Sequence, residues 1–138
     1  MKSWEALTAK VAPENPDLVV WPEGSIYGNP SGKTLSKRFG AMAQEGGFYL
    51  LMGGGTAEPD PLDVNRRIHW NSCYLFGPDA AVHGRYDKMV PLPFGEYLPW
   101  PFSYLKDYIE GVGDFRAGTH PMAFEMMPTT KVPNATRL

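Results

Sequence analysis

Apolar positions along the chain alternate between helical and strand-like spacing. Trp4, Leu7, Thr8 and Val11 share one face at helical spacing. Ser3 is placed to cap the first turn, and Pro13 and Pro16 end the helix. Residues 18–21 form an unbroken apolar run of strand length. Such a run, without alternation, suits a strand buried on both faces of a sheet. Residues 31–46 predict a second helix with Leu35, Phe39, Met42 and Ala43 as its stripe and Gly46-Gly47 as its stop. Residues 48–52 predict another buried strand, and residues 53–65, rich in Gly, Pro and Asp, a loop.

Residues 69–76 and 81–86 read as third and fourth strands joined by a turn at 77–80. Residues 91–101 hold four prolines in eleven positions, which excludes regular structure there. A short helix is expected over 102–109, then a loop over 114–124 leading into a last short strand. Helix, strand, helix, strand and hairpin in that order predict an α/β layer fold with a mixed sheet.

Composition narrows the function. A chain of 138 residues is long enough for one domain with a core. The net charge is −2 and the basic residues are scattered, which excludes the basic face of a nucleic-acid binder. The single cysteine, Cys73, excludes an internal disulfide framework. No apolar run is long enough to span a bilayer, and the N-terminus lacks the apolar core of a signal peptide, so these residues by themselves read as soluble. His69, His83 and His120 lack ligand spacing, so no metal or other cofactor is expected. Gly32-Lys33-Thr34 is like the end of a phosphate-binding loop, but the glycine required five positions earlier is Tyr27.

Two places combine charge with apolar company. At residues 18–23 an apolar run stops at Glu23. Reactive groups gather at the carboxyl ends of strands in open α/β sheets. Beside Trp21 and Pro22 this carboxylate is expected to be partly desolvated, which would raise its pKa toward that of a general base. The second place is residues 86–99, where Lys88 and Glu96 sit eight positions apart among Met, Val, Leu, Pro, Phe and Tyr. A lysine held near a carboxylate can stabilise a developing oxyanion. From spacing alone, a surface Glu23, a solvated Lys88 at a strand end and a Glu96 that braces its loop fit equally well. Cys73, in mid-strand, reads as a small core residue with no neighbouring base to activate it.

Three segments together carry a resemblance: Val19-Val20-Trp21-Pro22-Glu23, then Trp70-Asn71-Ser72, then Gly84-Arg85-Tyr86-Asp87-Lys88-Met89-Val90-Pro91-Leu92-Pro93-Phe94-Gly95-Glu96-Tyr97-Leu98-Pro99. The combination resembles the nitrilase (carbon–nitrogen hydrolase) superfamily and, within it, the apolipoprotein N-acyltransferases, over residues 17–125. The resemblance implies an α-β-β-α sandwich and a Glu–Lys–Cys site. By position, Glu23 matches the general base, Lys88 the lysine that stabilises the tetrahedral intermediate, and Glu96 the supporting second glutamate. It implies a phospholipid acyl donor, a lipoprotein N-terminal cysteine as acceptor, and a thioester on the enzyme's cysteine. It also implies a parent enzyme in the bacterial cytoplasmic membrane with this domain facing the periplasm. A soluble amidase of the same superfamily is the alternative parent, and a non-catalytic remnant or interaction fragment is the alternative for these residues by themselves.

The family's nucleophile follows the lysine in a segment like Ile-Cys-Tyr-Glu, and no such segment occurs in these residues. Cys73 lies fifteen positions before Lys88, on the wrong side of it. The expectation is therefore a partial domain over 1–127, a divergent tail over 128–138, and no acyl transfer by these residues alone. Half a sandwich also leaves apolar sheet faces uncovered, so marginal stability is expected.

Overall fold

The computed structural model describes residues 2–26, 28, 30, 32–105, 108 and 113–127. The tail expected over 128–138 lies outside the described residues. Four strands form one mixed sheet: β1 (Leu18–Val20), β2 (Tyr49–Asp60), β3 (Asp63–Phe76) and β4 (Val82–Asp87), in spatial order β1-β2-β3-β4. β1 and β2 run parallel, Leu18 opposite Tyr49, and the other two pairings are antiparallel. A parallel pair needs a crossover, and helix α2 (Lys33–Gly46) supplies it. The α/β class with a mixed sheet is thus as expected.

α2 ends at Gly47, which takes the left-handed backbone conformation (φ 62°) that favours glycine. Its buried stripe of Phe39, Gly40 and Ala43, with Leu35 and Met42 beside it, faces Leu50, Met52, Tyr74 and Phe76 on the sheet. Phe39 is fully buried and meets Trp21 and Phe76 edge-on, at ring distances of 5.6 and 5.9 Å. Each such aromatic pair adds about 1 kcal/mol to the burial of the rings. Helix α1 (Lys2–Val11) joins this layer. Thr8 accepts a hydrogen bond from the Trp21 indole at 2.9 Å, and Glu5 pairs with Arg38 of α2 at 2.6 Å.

Several expectations are corrected. Ser3 does not cap α1, because the helix already includes Lys2. Leu7 and Val11 are half exposed, so the buried stripe of α1 is narrower than its pattern. Of the helix expected over 102–109, the described part is a single 3-10 turn, Phe102–Leu105; the rest, apart from Tyr108, lies outside the described residues. The loop expected over 114–124 is found, with one isolated bridge from Phe115 to His69, but no strand follows it among the described residues, which run to 127.

The largest correction is residues 53–65. The glycines and Pro59 belong to β2 and β3, which form a long hairpin pairing as far as Asp60 with Asp63. Glycine is required there for close approach. A Cβ on Gly53 would lie 3.2 Å from the Cα of Glu23, and one on Gly54 would lie 2.7 Å from Cγ of Pro30. The register shift at Pro59 absorbs the residue that cannot donate to the ladder.

Candidate active site

Glu23 stands in the turn that leaves β1. Trp21 N donates to Leu51 O at 2.8 Å, which ends the parallel ladder, and Gly24 turns the chain with φ 68°. Asn71 and Cys73 lie on β3 opposite Gly55 and Gly53. Opposed residues of an antiparallel ladder share a face, so the β2 side of this face carries no side chain beside Asn71. Lys88 follows β4 directly. Its N–H donates to Asn71 O at 2.8 Å, and its carbonyl accepts from Gly118 N at 2.9 Å.

These placements bring four side chains together. The Lys88 ammonium donates to Glu96 at 3.1–3.2 Å and to Glu23 at 3.4 Å. The Asn71 amide donates to the same two carboxylates, at 2.6 Å to Glu23 and 2.5 Å to Glu96. Glu96 also accepts from the backbone N–H of Leu92 at 2.6 Å. Residues 92–97 are thereby folded around the Glu96 carboxylate, with Phe94 N donating to Tyr97 O.

The electrostatics follow. Glu96 raises the pKa of Lys88 through their hydrogen bond; desolvation works against this, and Glu23 adds to the rise. Burial would raise the Glu96 carboxyl, but the Leu92 N–H, the Asn71 amide and Lys88 together hold it below the usual range. The expected desolvation of Glu23 is not found: its side chain is 66% exposed, because the turn points it out over the sheet face. It remains a carboxylate aimed at an ammonium, open to a reacting molecule on its other side.

A cavity of about 280 Å³ adjoins the cluster. Val20, Leu51 and Tyr86 give it apolar walls, and Glu23, Asn71 and Lys88 form its polar end. Cys73 lines it as well, although its position in sequence marked it as a core residue. Burial pushes the Cys73 thiol up, partly offset by a backbone hydrogen bond, which is opposite to the shift that makes a thiolate nucleophile. Among the described residues no group of His, Cys, Asp and Glu is arranged to hold a metal ion.

The structure therefore brings Glu23, Lys88 and Glu96 together, and it adds Asn71. Sequence reasoning gave Asn71 no role. Its only signal was its place in Trp70-Asn71-Ser72, where a short amide interrupts a strand at the position facing a glycine.

The chain is 32% identical over 127 residues to the apolipoprotein N-acyltransferase of Geobacter metallireducens, covering 88% of this chain and 24% of that protein. It is 34% identical over 110 residues to that of Brucella suis (75% and 20%), and 30% over 106 residues to that of Mycolicibacterium smegmatis (75% and 18%). The chain thus spans a quarter or less of the length of these relatives. Among solved structures, the C. elegans NitFhit protein superposes with a TM-score of 0.56 at 17% identity, covering 86% of this chain and 29% of that one. A Nesterenkonia amidase of the nitrilase superfamily gives 0.54 at 16% identity, covering 85% and 41%. Both show the fold, of which this chain is a part. Among the described residues no helix is long and apolar enough to cross a membrane. Residues 1–118 match the family described as Carbon-nitrogen hydrolase, and the chain belongs to that family.

Proposed function

We propose that these residues form the Glu–Lys half of an acyl-transfer site of the apolipoprotein N-acyltransferase type. The observation that supports it best is one ammonium, Lys88, held between two carboxylates at 3.1–3.4 Å beside an apolar cavity. In this reading Glu23 takes the proton of a thiol nucleophile. The thiolate attacks the ester carbonyl of a phospholipid, and Lys88 stabilises the oxyanion that forms. Collapse of the intermediate leaves a thioester and releases the alcohol, which carries away the proton held by Glu23. The α-amino group of an apolipoprotein's N-terminal cysteine then attacks the thioester carbonyl and gives a proton to Glu23; the C–S bond breaks, and the departing thiolate takes that proton back, leaving an amide and the free thiol. Glu96 and Asn71 do not touch the reacting atoms in this scheme; they hold Lys88 and Glu23 in place.

The nucleophile comes from a segment like Ile-Cys-Tyr-Glu beyond Glu125, which these residues do not include. A polypeptide of these 138 residues alone is expected to form no thioester on Cys73. The parent enzyme sits in the bacterial cytoplasmic membrane with this domain on the periplasmic side.

A chimera tests the reading. Residues 17–125 replace the matching segment of the Geobacter relative, and acylation of a diacylglyceryl peptide is followed by mass. The chimera should transfer acyl chains, and Glu23→Gln or Lys88→Ala should lower its rate by about a thousandfold or more. Full activity in both variants would sink the proposal, and a chimera that hydrolyses small amides instead would favour the soluble amidase.

A further inference from the structure

Behind Lys88, on the helix-covered face of the sheet, lies a chain of polar side chains that the scheme above does not use. Tyr74 and Thr56 share a short hydroxyl contact, and Thr56 donates to Ser72 at 2.8 Å. Ser72 donates in turn to Asp87 at 2.5 Å. All three hydroxyl residues are at least 97% buried. Arg85 completes the end of the chain. Its Nε donates to Asp87 at 2.7 Å, it pairs with Glu58, and its guanidinium lies 5.1 Å from the Trp70 ring centre.

The position of this chain has a geometric consequence. β4 is a short edge strand of six residues, it contains Gly84, and its pairing with β3 already slips between Leu75 and Phe76. Register is weakly specified in such a strand, and a slip of one residue moves every side chain to the other face. Tyr86 and Lys88 face the cavity, so Asp87 between them faces the hydroxyl chain. A slip of one position would turn Lys88 away from Glu23 and bury its ammonium among Thr56, Ser72 and Tyr74.

We propose that Asp87 is a positioning residue for Lys88: its bond to Ser72 locks the register of β4 and so delivers the ammonium between Glu23 and Glu96. The inference rests on the reading of Lys88 as the charge-stabilising group. Its geometric part is independent of that reading. The segment over 113–118 backs the lock from outside. A Cβ on Gly118 would lie 2.7 Å from the Asp87 carbonyl carbon, so only glycine lets that segment close over it.

The test follows Lys88 itself, by NMR titration of its side-chain ammonium in the full 138-residue chain. Asp87→Ala and Ser72→Ala should each lower the Lys88 pKa toward that of a free lysine, because the ammonium loses Glu96 and Glu23. Asp87→Asn, which keeps an acceptor for Ser72, should restore most of the difference. In the chimera, Asp87→Ala should cut kcat on the order of a hundredfold with KM little changed, as expected for a misplaced group. An unchanged Lys88 titration in Ser72→Ala, or equal titrations in Asp87→Asn and Asp87→Ala, would overturn the register lock. Should Asp87→Ala fail to fold, Ser72→Ala, which removes a single hydroxyl, decides. Lys88 shifting as described, while Lys88→Ala leaves the chimera active, would keep the lock and discard the acyl-transfer reading.

Discussion

On β2 and β3, Leu50, Met52, Tyr74 and Phe76 face α2, while Leu51, Gly53, Asn71 and Cys73 face the cavity. Both sets come from alternate positions of the same two strands. The first face is closed: its four residues are at most 1% exposed and are held by packing. The second face is open at one end, where four polar side chains hold one another by directed hydrogen bonds. Packing is non-directional and tolerates no void, whereas the polar cluster depends on a few distances and on charge. Damage to the first face should therefore appear as lost stability, and damage to the second as lost placement of Lys88.

The contrast is sharpest at Phe39. Phe39→Ala should cost about 3–5 kcal/mol, since it empties the centre of the closed face. Urea unfolding reads this directly, and a loss below about 1 kcal/mol would mean that the face is not packed as described. Asn71→Ala should cost less, about 1 kcal/mol, since its partner Glu23 is largely exposed. Asn71→Asp should cost more than Asn71→Ala at neutral pH, because it sets a third carboxylate beside Glu23 and Glu96. Equal stability of Asn71→Asp and the native chain would break the picture of a donor shared by two carboxylates.

The open face should also give the chain a pH dependence. The Glu96 carboxyl is held below its ordinary range, so its contribution is complete above about pH 4.3 and is lost as pH falls through the folded value. The Lys88 ammonium is raised, so its contribution is complete below about pH 10.4 and is lost as pH climbs through the folded value. Lys88 is about one-third exposed and Glu96 14% exposed, so the acid branch should be the larger. Glu96→Gln should flatten that branch in melts taken across the acid range. The smallest effect belongs to the exposed lysine arm. Val90→Ser, at an 80% exposed position, should change stability by no more than about 0.5 kcal/mol.

The closed face was readable from the sequence because local periodicity encodes it. Leu35, Phe39, Met42 and Ala43 recur at helical spacing, and Gly47 stops the helix by a conformation that glycine adopts readily. The strand Leu18–Val20 was readable as an apolar run, but its expected burial on both faces was not met: β1 lies at the sheet edge and Val20 is 60% exposed. The long hairpin was not readable, since Gly53 and Gly54 resemble loop residues locally. They are strand residues because Glu23 and Pro30 lie against them, a contact between segments more than twenty residues apart in the chain. Asn71 was missed for the same reason: its partners lie 48 and 25 positions away. Glu23, Lys88 and Glu96 were nominated by their apolar company and by family resemblance, yet the exposure of Glu23 is a property of how its turn projects, which no local pattern records.

One ammonium shared by two carboxylates lies at the centre of the site. NMR titration of the Lys88 side chain in the native chain and in Glu96→Gln tests that most directly. The Lys88 pKa should lie above that of an ordinary lysine in the native chain and fall clearly in Glu96→Gln. An ordinary value that does not respond to Glu96→Gln would contradict that arrangement.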